Sequence, residues 1–196
     1  MNMKYPAASL VAVATGLVLV LGCGVSAQPS ANGPQTTEGK TREAATHRPG
    51  ISTCSQKDLG VSAVKEPADS TDARHLLLTV QNVGGKKCNV YRYPLVRLGD
   101  GRTTAPVIED SDPTPGEPVT LAPGQEAHAA LVVNSRMDEY EAKTITLTLQ
   151  GRKPGSTAGK PIDVPMPVDA LYANDGQRVT YWMTAPGAAL DFVMSR

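Results

Sequence analysis

This chain lacks net charge: 19 basic residues face 19 acidic ones. With no basic cluster there is no electrostatic footprint for nucleic acid, and no polybasic stretch for anionic lipid. Histidine is scarce as well. His47, His75 and His128 are the only imidazoles, so a nucleophile–base–orienter arrangement has three candidates for its base. His47 falls in a polar segment, and the neighbours of His75 and His128 place both on outward strand faces. The stretch Gly60-Val61-Ser62-Ala63 lacks the second glycine of a nucleophile elbow and leads into no helix. These gaps point away from an enzyme, and nothing in the sequence requires a cofactor. Long apolar runs are absent too. Residues 7–21 supply 15 residues, Thr15 and Gly16 among them, where a spanning helix needs about 20.

That short run is nonetheless the most informative segment. It follows a charged start at Lys4 and closes on Val20-Leu21-Gly22-Cys23, which resembles the lipobox of bacterial lipoproteins. Gly22 is small enough to pass into a peptidase site, and cleavage there makes Cys23 the first residue. Its sulfur then carries a diacylglyceryl group, and two acyl chains hold a protein firmly, at about 0.8 kcal/mol per buried methylene. The expected address is the outer face of the cytoplasmic membrane. The alternatives are a secretory signal cut later, near residues 25–27, which releases the protein, and an anchor that is never cut. Removing residues 1–22 takes away only Lys4, leaving 18 basic residues (19 minus 1) against 19 acidic. The lipid alone must then supply the membrane attachment.

Residues 24–50 contain one bulky aliphatic, Val25, and no aromatic. Such a stretch cannot bury enough surface to fold. As a flexible coil its ends lie about 30 Å apart, enough to lift a domain above the lipid headgroups. The expected organisation is a signal peptide at 1–22, a lipidated cysteine and tether at 23–50, and a β-sandwich domain at 51–196. Two cysteines remain for that domain, Cys54 and Cys88. An even pair outside the cytosol is expected to bridge, which would stabilise by about 3–4 kcal/mol for a loop of roughly 34 residues. Two free thiols or a metal pair is the alternative.

From Ile51 onward the pattern is short alternating runs between turn residues. Leu76, Leu78 and Val80 alternate with Leu77, Thr79 and Gln81, and Ile145, Leu147 and Leu149 alternate with Thr144, Thr146 and Thr148. Ala127, Ala129, Leu131 and Val133 repeat the arrangement. Further strands are expected at 60–64, 89–98, 119–121, 162–168, 178–182 and 190–193. Glycine and proline clusters at 82–85, 99–101, 113–118, 123–124, 154–155 and 174–176 supply the turns. Pro94 and Pro161 restrict their segments to edge or bulged strands. Helix is confined to a turn or two, at 135–142 or 169–173. The fold class this implies is all-β, an immunoglobulin-like antiparallel β-sandwich.

Several patterns then occur in order: Cys54, Asp58-Leu59-Gly60-Val61, Asn82 with Gly84-Gly85, Cys88, Tyr93-Pro94 through Gly99-Asp100-Gly101, and Leu121-Ala122-Pro123-Gly124. Over roughly residues 54–193 the set resembles the domain-of-unknown-function family numbered 4232, found in lipoproteins and secreted proteins of actinobacteria. The resemblance implies a Cys54–Cys88 pairing that ties the first strand to the segment before Tyr93-Pro94. It implies no activity and no catalytic residues. Arg92, where glycine is commoner, and Gln125-Glu126, where small residues are commoner, depart from the family pattern.

Candidate binding residues are aromatic. Trp182 reads first as a core residue, with an exposed Tyr181/Trp182 platform for a sugar or peptide as the alternative. Tyr91 and Tyr93 share a face beside Arg92 and form a second patch. The acidic runs at 109–112 and 138–141 lack the spacing of a calcium loop, and the methionines are not paired with histidine for copper. The reading is a membrane-anchored, non-catalytic interaction module with a cell-envelope or secreted protein partner; a metal- or small-ligand-binding lipoprotein is the alternative. Cys23→Ala should leave an uncleaved precursor or release the protein into the medium, and a variant that matures and fractionates like wild type would refute the lipobox.

Overall fold

A computed structural model describes residues 50–101, 103–135 and 137–194. Cys23 and the 1–22 and 23–49 expectations lie outside the described residues, and among those described no helix is long and apolar enough to cross a membrane. The elements are β1 (Ser52–Thr53), β2 (Leu59–Glu66), β3 (His75–Asn82), β4 (Cys88–Leu98), β5 (Val119–Leu121), β6 (Glu126–Val132), β7 (Tyr140–Ala142), β8 (Ile145–Gln150), β9 (Thr157–Val164), β10 (Leu171–Ala173), β11 (Arg178–Val179) and α1 (Pro186–Met194). Among the described residues the fold is all-β apart from that short helix and single 3-10 turns at Gln56–Asp58 and Glu109–Ser111.

One sheet runs β11-β6-β3-β2 and a second runs β1-β4-β8-β9, with β5 also on β4; β7 and β10 form a separate ribbon. Pairing is antiparallel throughout these sheets except for β1, which lies parallel to β4 at Ser52↔Cys88 and Thr53↔Asn89. Alternation explains why the sheets share a core. Leu76, Leu78 and Val80 from β3, and Ala127, Ala129 and Leu131 from β6, belong to the same buried cluster as Val96 and Leu98 of β4 and Leu147 and Leu149 of β8. Thr146 and Thr148 stay on the wetter face, as the period of two requires.

The proline-bearing strands follow the expected logic. β9 holds Pro161 at the edge of its sheet. β4 holds Pro94 in a bulge: Tyr91 to Leu95 is four steps, while their partners Gln150 to Thr148 are two. Two extra residues restore the in–out parity, so Val90 and Val96 both reach the core. The turn at 122–125 also closes as read, with the Gln125 N–H on the Ala122 carbonyl at 2.9 Å and Gly124 at φ +81, where glycine meets no Cβ penalty. Cys54 and Cys88 form a disulfide. Asn82 organises the turn before Cys88: its amide nitrogen donates to the Lys86 and Leu121 carbonyls, and its oxygen accepts from the Gly84 N–H.

Three expectations are corrected. Residues 190–193 are not a strand but part of α1, whose nine residues begin at Pro186, a good first helical residue because its missing N–H has no partner to lose. Ala189 and Val193, one turn apart, pack on Leu77, Ala130 and Val132. The 135–142 and 169–173 segments are not helical; each contributes a strand to the β7–β10 ribbon, with Leu171 opposite Ala142. The strand expected at 162–168 is displaced, running Thr157–Val164 and ending before Pro165, and the one expected at 178–182 is shorter, ending at Val179.

His75 and His128 also depart from the outward reading. They sit on the side of the β3–β6 pair away from the main core, but that side carries α1 and a second apolar cluster. His128 is 6% exposed and His75 9%. Burial lowers the pKa of both below 6.5, reinforced at His75 by the Arg74 charge and opposed at His128 by Glu126. The folded state therefore resists a proton that the unfolded chain accepts, and stability falls as pH drops from about 6.5 toward the folded-state values. Denaturant midpoints measured between pH 7.5 and 5 should decline, and a His75→Gln, His128→Gln double variant should flatten that decline; an unchanged slope would refute the linkage.

Candidate functional site

The β4 bulge turns the backbone of Arg92 into the left-handed region at φ +54, a conformation costing an L-residue roughly 1–2 kcal/mol. Side-chain bonds offset this. The Arg92 Nε donates to Gln150 Oε1 at 2.7 Å, and its terminal nitrogens donate to the carbonyls of Gly151, Lys153 and Arg152 at 2.5, 3.1 and 3.4 Å. Gln150 completes the lock by donating to the Tyr93 carbonyl at 2.8 Å. On the other flank the Trp182 N–H donates to the Arg92 carbonyl at 2.8 Å. The 180–183 segment is thus stitched to β4 there and to β6 through a Met183↔His128 bridge.

This stitching brings three of the four candidate aromatics together. The rings of Tyr93 and Tyr181 meet edge-on at 5.2 Å between centroids, a favourable quadrupole geometry. The Tyr181 backbone N–H donates to Ser111 Oγ, and its hydroxyl donates to Glu109 at 3.4 Å. Tyr91 is buried at 8% exposure, and its hydroxyl accepts from the Asn89 amide at 3.4 Å. Trp182 is corrected as a surface candidate: at 1% exposure it lies in the core cluster that contains Cys54 and Cys88, where no surface ligand reaches it.

Tyr91 and Tyr181 line a groove of about 500 Å³ together with Arg92, Arg152, Asp112 and Glu117. Burial is the main cause that raises the Tyr181 pKa above 10, with Glu109 and Asp112 adding repulsion, so the phenol is neutral and a donor at physiological pH. Among the described residues none of Arg92, Arg152, Asp112 and Glu117 is ion-paired. The groove can therefore offer unpaired charge of both signs beside aromatic surface. The sequence marks Arg92, beside Tyr91 and Tyr93 and as a family departure, and Asp112, in the acidic run 109–112; Glu117 and Arg152 carry no such signal, and only the fold brings the four together.

Other clusters offer less. A larger cavity, about 680 Å³, is lined by Asp72, Asp138, Glu139, Met137 and Tyr172 among others, yet among the described residues no three His, Cys, Asp or Glu side chains converge as a metal site. His128 Nδ1 lies 3.0 Å from Thr79 Oγ1, but Glu126 stands 3.8 Å from Nε2, beyond hydrogen-bond reach, so the ring has no acidic orienter. The Arg92 lock itself is testable. Arg92→Gly and Arg92→Ala both forfeit the guanidinium bonds, but only alanine retains the φ penalty, so Arg92→Ala should be less stable by about 1 kcal/mol. Equal unfolding midpoints for the two variants would contradict the strained backbone.

The model of the family described as Domain of unknown function (DUF4232) matches residues 54–183. The match runs from the first disulfide cysteine through the Tyr181 segment and stops before α1. No curated protein and no solved structure matches the chain. Because the match covers well over half of the sequence, the chain belongs to the DUF4232 family.

Proposed function

We propose that this chain is an extracytoplasmic lipoprotein, acylated on Cys23 and held at the outer face of the cytoplasmic membrane. Its β domain, read as an immunoglobulin-like sandwich, is a non-catalytic module that binds a cell-envelope or secreted partner. The observation that carries the binding reading is the groove at Tyr91 and Tyr181, where unpaired arginines and carboxylates share one concavity with aromatic rings. Buried aromatics beside a few placed polar groups are what recognition sites are made of. The leader and the polar tether support the address. A small ligand in the Asp72–Tyr172 cavity is the second reading, favoured by that cavity's larger volume of about 680 Å³.

Site-specific photocrosslinking separates the two in intact cells. A photoreactive residue at Tyr181 should capture one reproducible partner, and the same probe at exposed Val64 on β2 or Tyr172 on β10 should not. Capture confined to position 172, or equal capture from all three positions, would remove the groove from the binding role.

A further inference from the structure

The groove does not end at Tyr181. Pro118 lines both it and a neighbouring apolar cavity of about 450 Å³. Thr120 and Thr184 line that cavity and a third one beside His128, of about 330 Å³. Through these shared lining residues the three concavities neighbour one another along β5, and the channel is the name for them together.

The backbone of β5 faces that channel. Among the described residues β5 has a single partner strand, β4. The Asn89 carbonyl accepts from the Cys54 N–H at 2.9 Å, so Asn89 directs its backbone groups to β1 and away from β5. In an antiparallel ladder the pairs on either side, Cys88↔Leu121 and Val90↔Val119, then carry the bonds. The N–H and C=O of Thr120 are left pointing outward from the sheet edge. Pro118 and the Ala122 N–H, which is held by Gln125 Oε1 at 2.8 Å, limit this open edge to one residue.

Charge narrows the occupant further. Arg92 on β4 and Arg152 after β8 line one groove with Asp112 and Glu117 of the 109–118 loop. Oppositely charged groups in one concavity that form no ion pair with each other leave room for a ligand that bears both signs.

We propose that the channel binds an extended polypeptide segment from a partner protein, paired to Thr120 at the β5 edge. An acidic group of the segment pairs with Arg152, near the Arg92 charge, and a basic group faces Asp112 and Glu117. Strand addition supplies affinity through the backbone, and the charged groove supplies register. The apolar middle, bounded by Pro113, Val119, Met183 and Ala188, takes an aliphatic or proline side chain. This assignment names the ligand of the groove already read as a binding site and rests on that reading.

The full-length chain in detergent micelles would be probed with an array of hexapeptides. Each peptide carries one acidic and one basic residue, moved through every position of a Ser/Val/Pro background, and an oligosaccharide array runs in parallel. Binding should require both charges at a fixed spacing. Arg152→Glu should weaken the best peptide about tenfold, and replacing that peptide's acidic residue with lysine should restore it. Arg152 is exposed, so this variant is expected to fold; Ala188→Arg, at another exposed position, provides a second block in the apolar middle of the channel. Doubly charged peptides that bind no better than neutral ones, or an affinity indifferent to Arg152→Glu, would overturn the proposal. Oligosaccharide binding lost in Ala188→Arg would overturn it too while leaving the binding-module reading intact, and that reading stands or falls on the crosslinking at position 181.

Discussion

The Arg92 guanidinium locks the β4 bulge, the one irregular stretch of the β4–β8 ladder, against the end of β8 and the turn after it. It spans the β4 bulge, bonds Gln150 on the neighbouring strand, and gathers three consecutive carbonyls of the turn that follows. Hydrogen bonds from a charged donor are each worth about 1.5–3 kcal/mol, so several of them outweigh a left-handed residue. The outcome is a strand that changes direction without losing the parity that sends Val90 and Val96 inward. Because the bulge exposes the Arg92 carbonyl to Trp182, the same distortion fixes where the last segment before α1 crosses. Tyr181 precedes Trp182 and inherits its position.

The opposite end of β4 is tied down by different means. Cys88 is bonded to Cys54, and Asn82 reaches across to the Leu121 carbonyl. Between these two fixed ends lie Asn89 and Tyr91, which form the floor of the groove. A site built on a strand anchored at both ends is preorganised in the physical sense. Tyr181 has its backbone on Ser111 and its ring on Tyr93. Ordering such a side chain on binding costs less than the roughly 0.5–1.5 kcal/mol a free one would lose.

Much of this architecture is legible in the sequence, for local reasons. The β8 threonines alternate with leucines because one face is wet, and the 122–125 turn can be read from a proline and a glycine at adjacent positions. The misreadings of the histidines and of 190–193 share one cause: a second layer on a face that looks exposed. His75, Leu77 and His128 alternate correctly with the core residues, so the sequence marks them as outward. What it does not show is that α1 returns to cover that side, since Ala189 and Val193 hold it through contacts with Ala130 and Val132, more than fifty positions away. The 190–193 segment reads as a strand for the same reason. Its apolar residues serve a helix face, and four residues are too few to separate a period of 2 from 3.6. Of the candidate site, the tyrosines are visible early because aromatics are few; the charges at 112, 117 and 152 become a site only once the fold assembles them.

The family match ends at residue 183, two residues after Tyr181, so α1 lies beyond it. The core that holds the groove draws on β3, β4, β6 and β8, whereas α1 packs on the far side of β3 and β6 together with Ile108 and Met183. The groove's charged end is thus made wholly from matched residues. The apolar cavity beside it, at Thr184, Ala185 and Ala188, borrows from the stretch beyond. If residues 54–183 carry the recognition chemistry, the charged end governs whether a partner is accepted, and the helix end adjusts how much of its length is gripped. That division follows from energetics as well as from position. Opposed charges discriminate between ligands by sign, because a mismatched group meets a like charge. An apolar cleft accepts any side chain of suitable volume and adds only about 25 cal/mol for each Å² it covers.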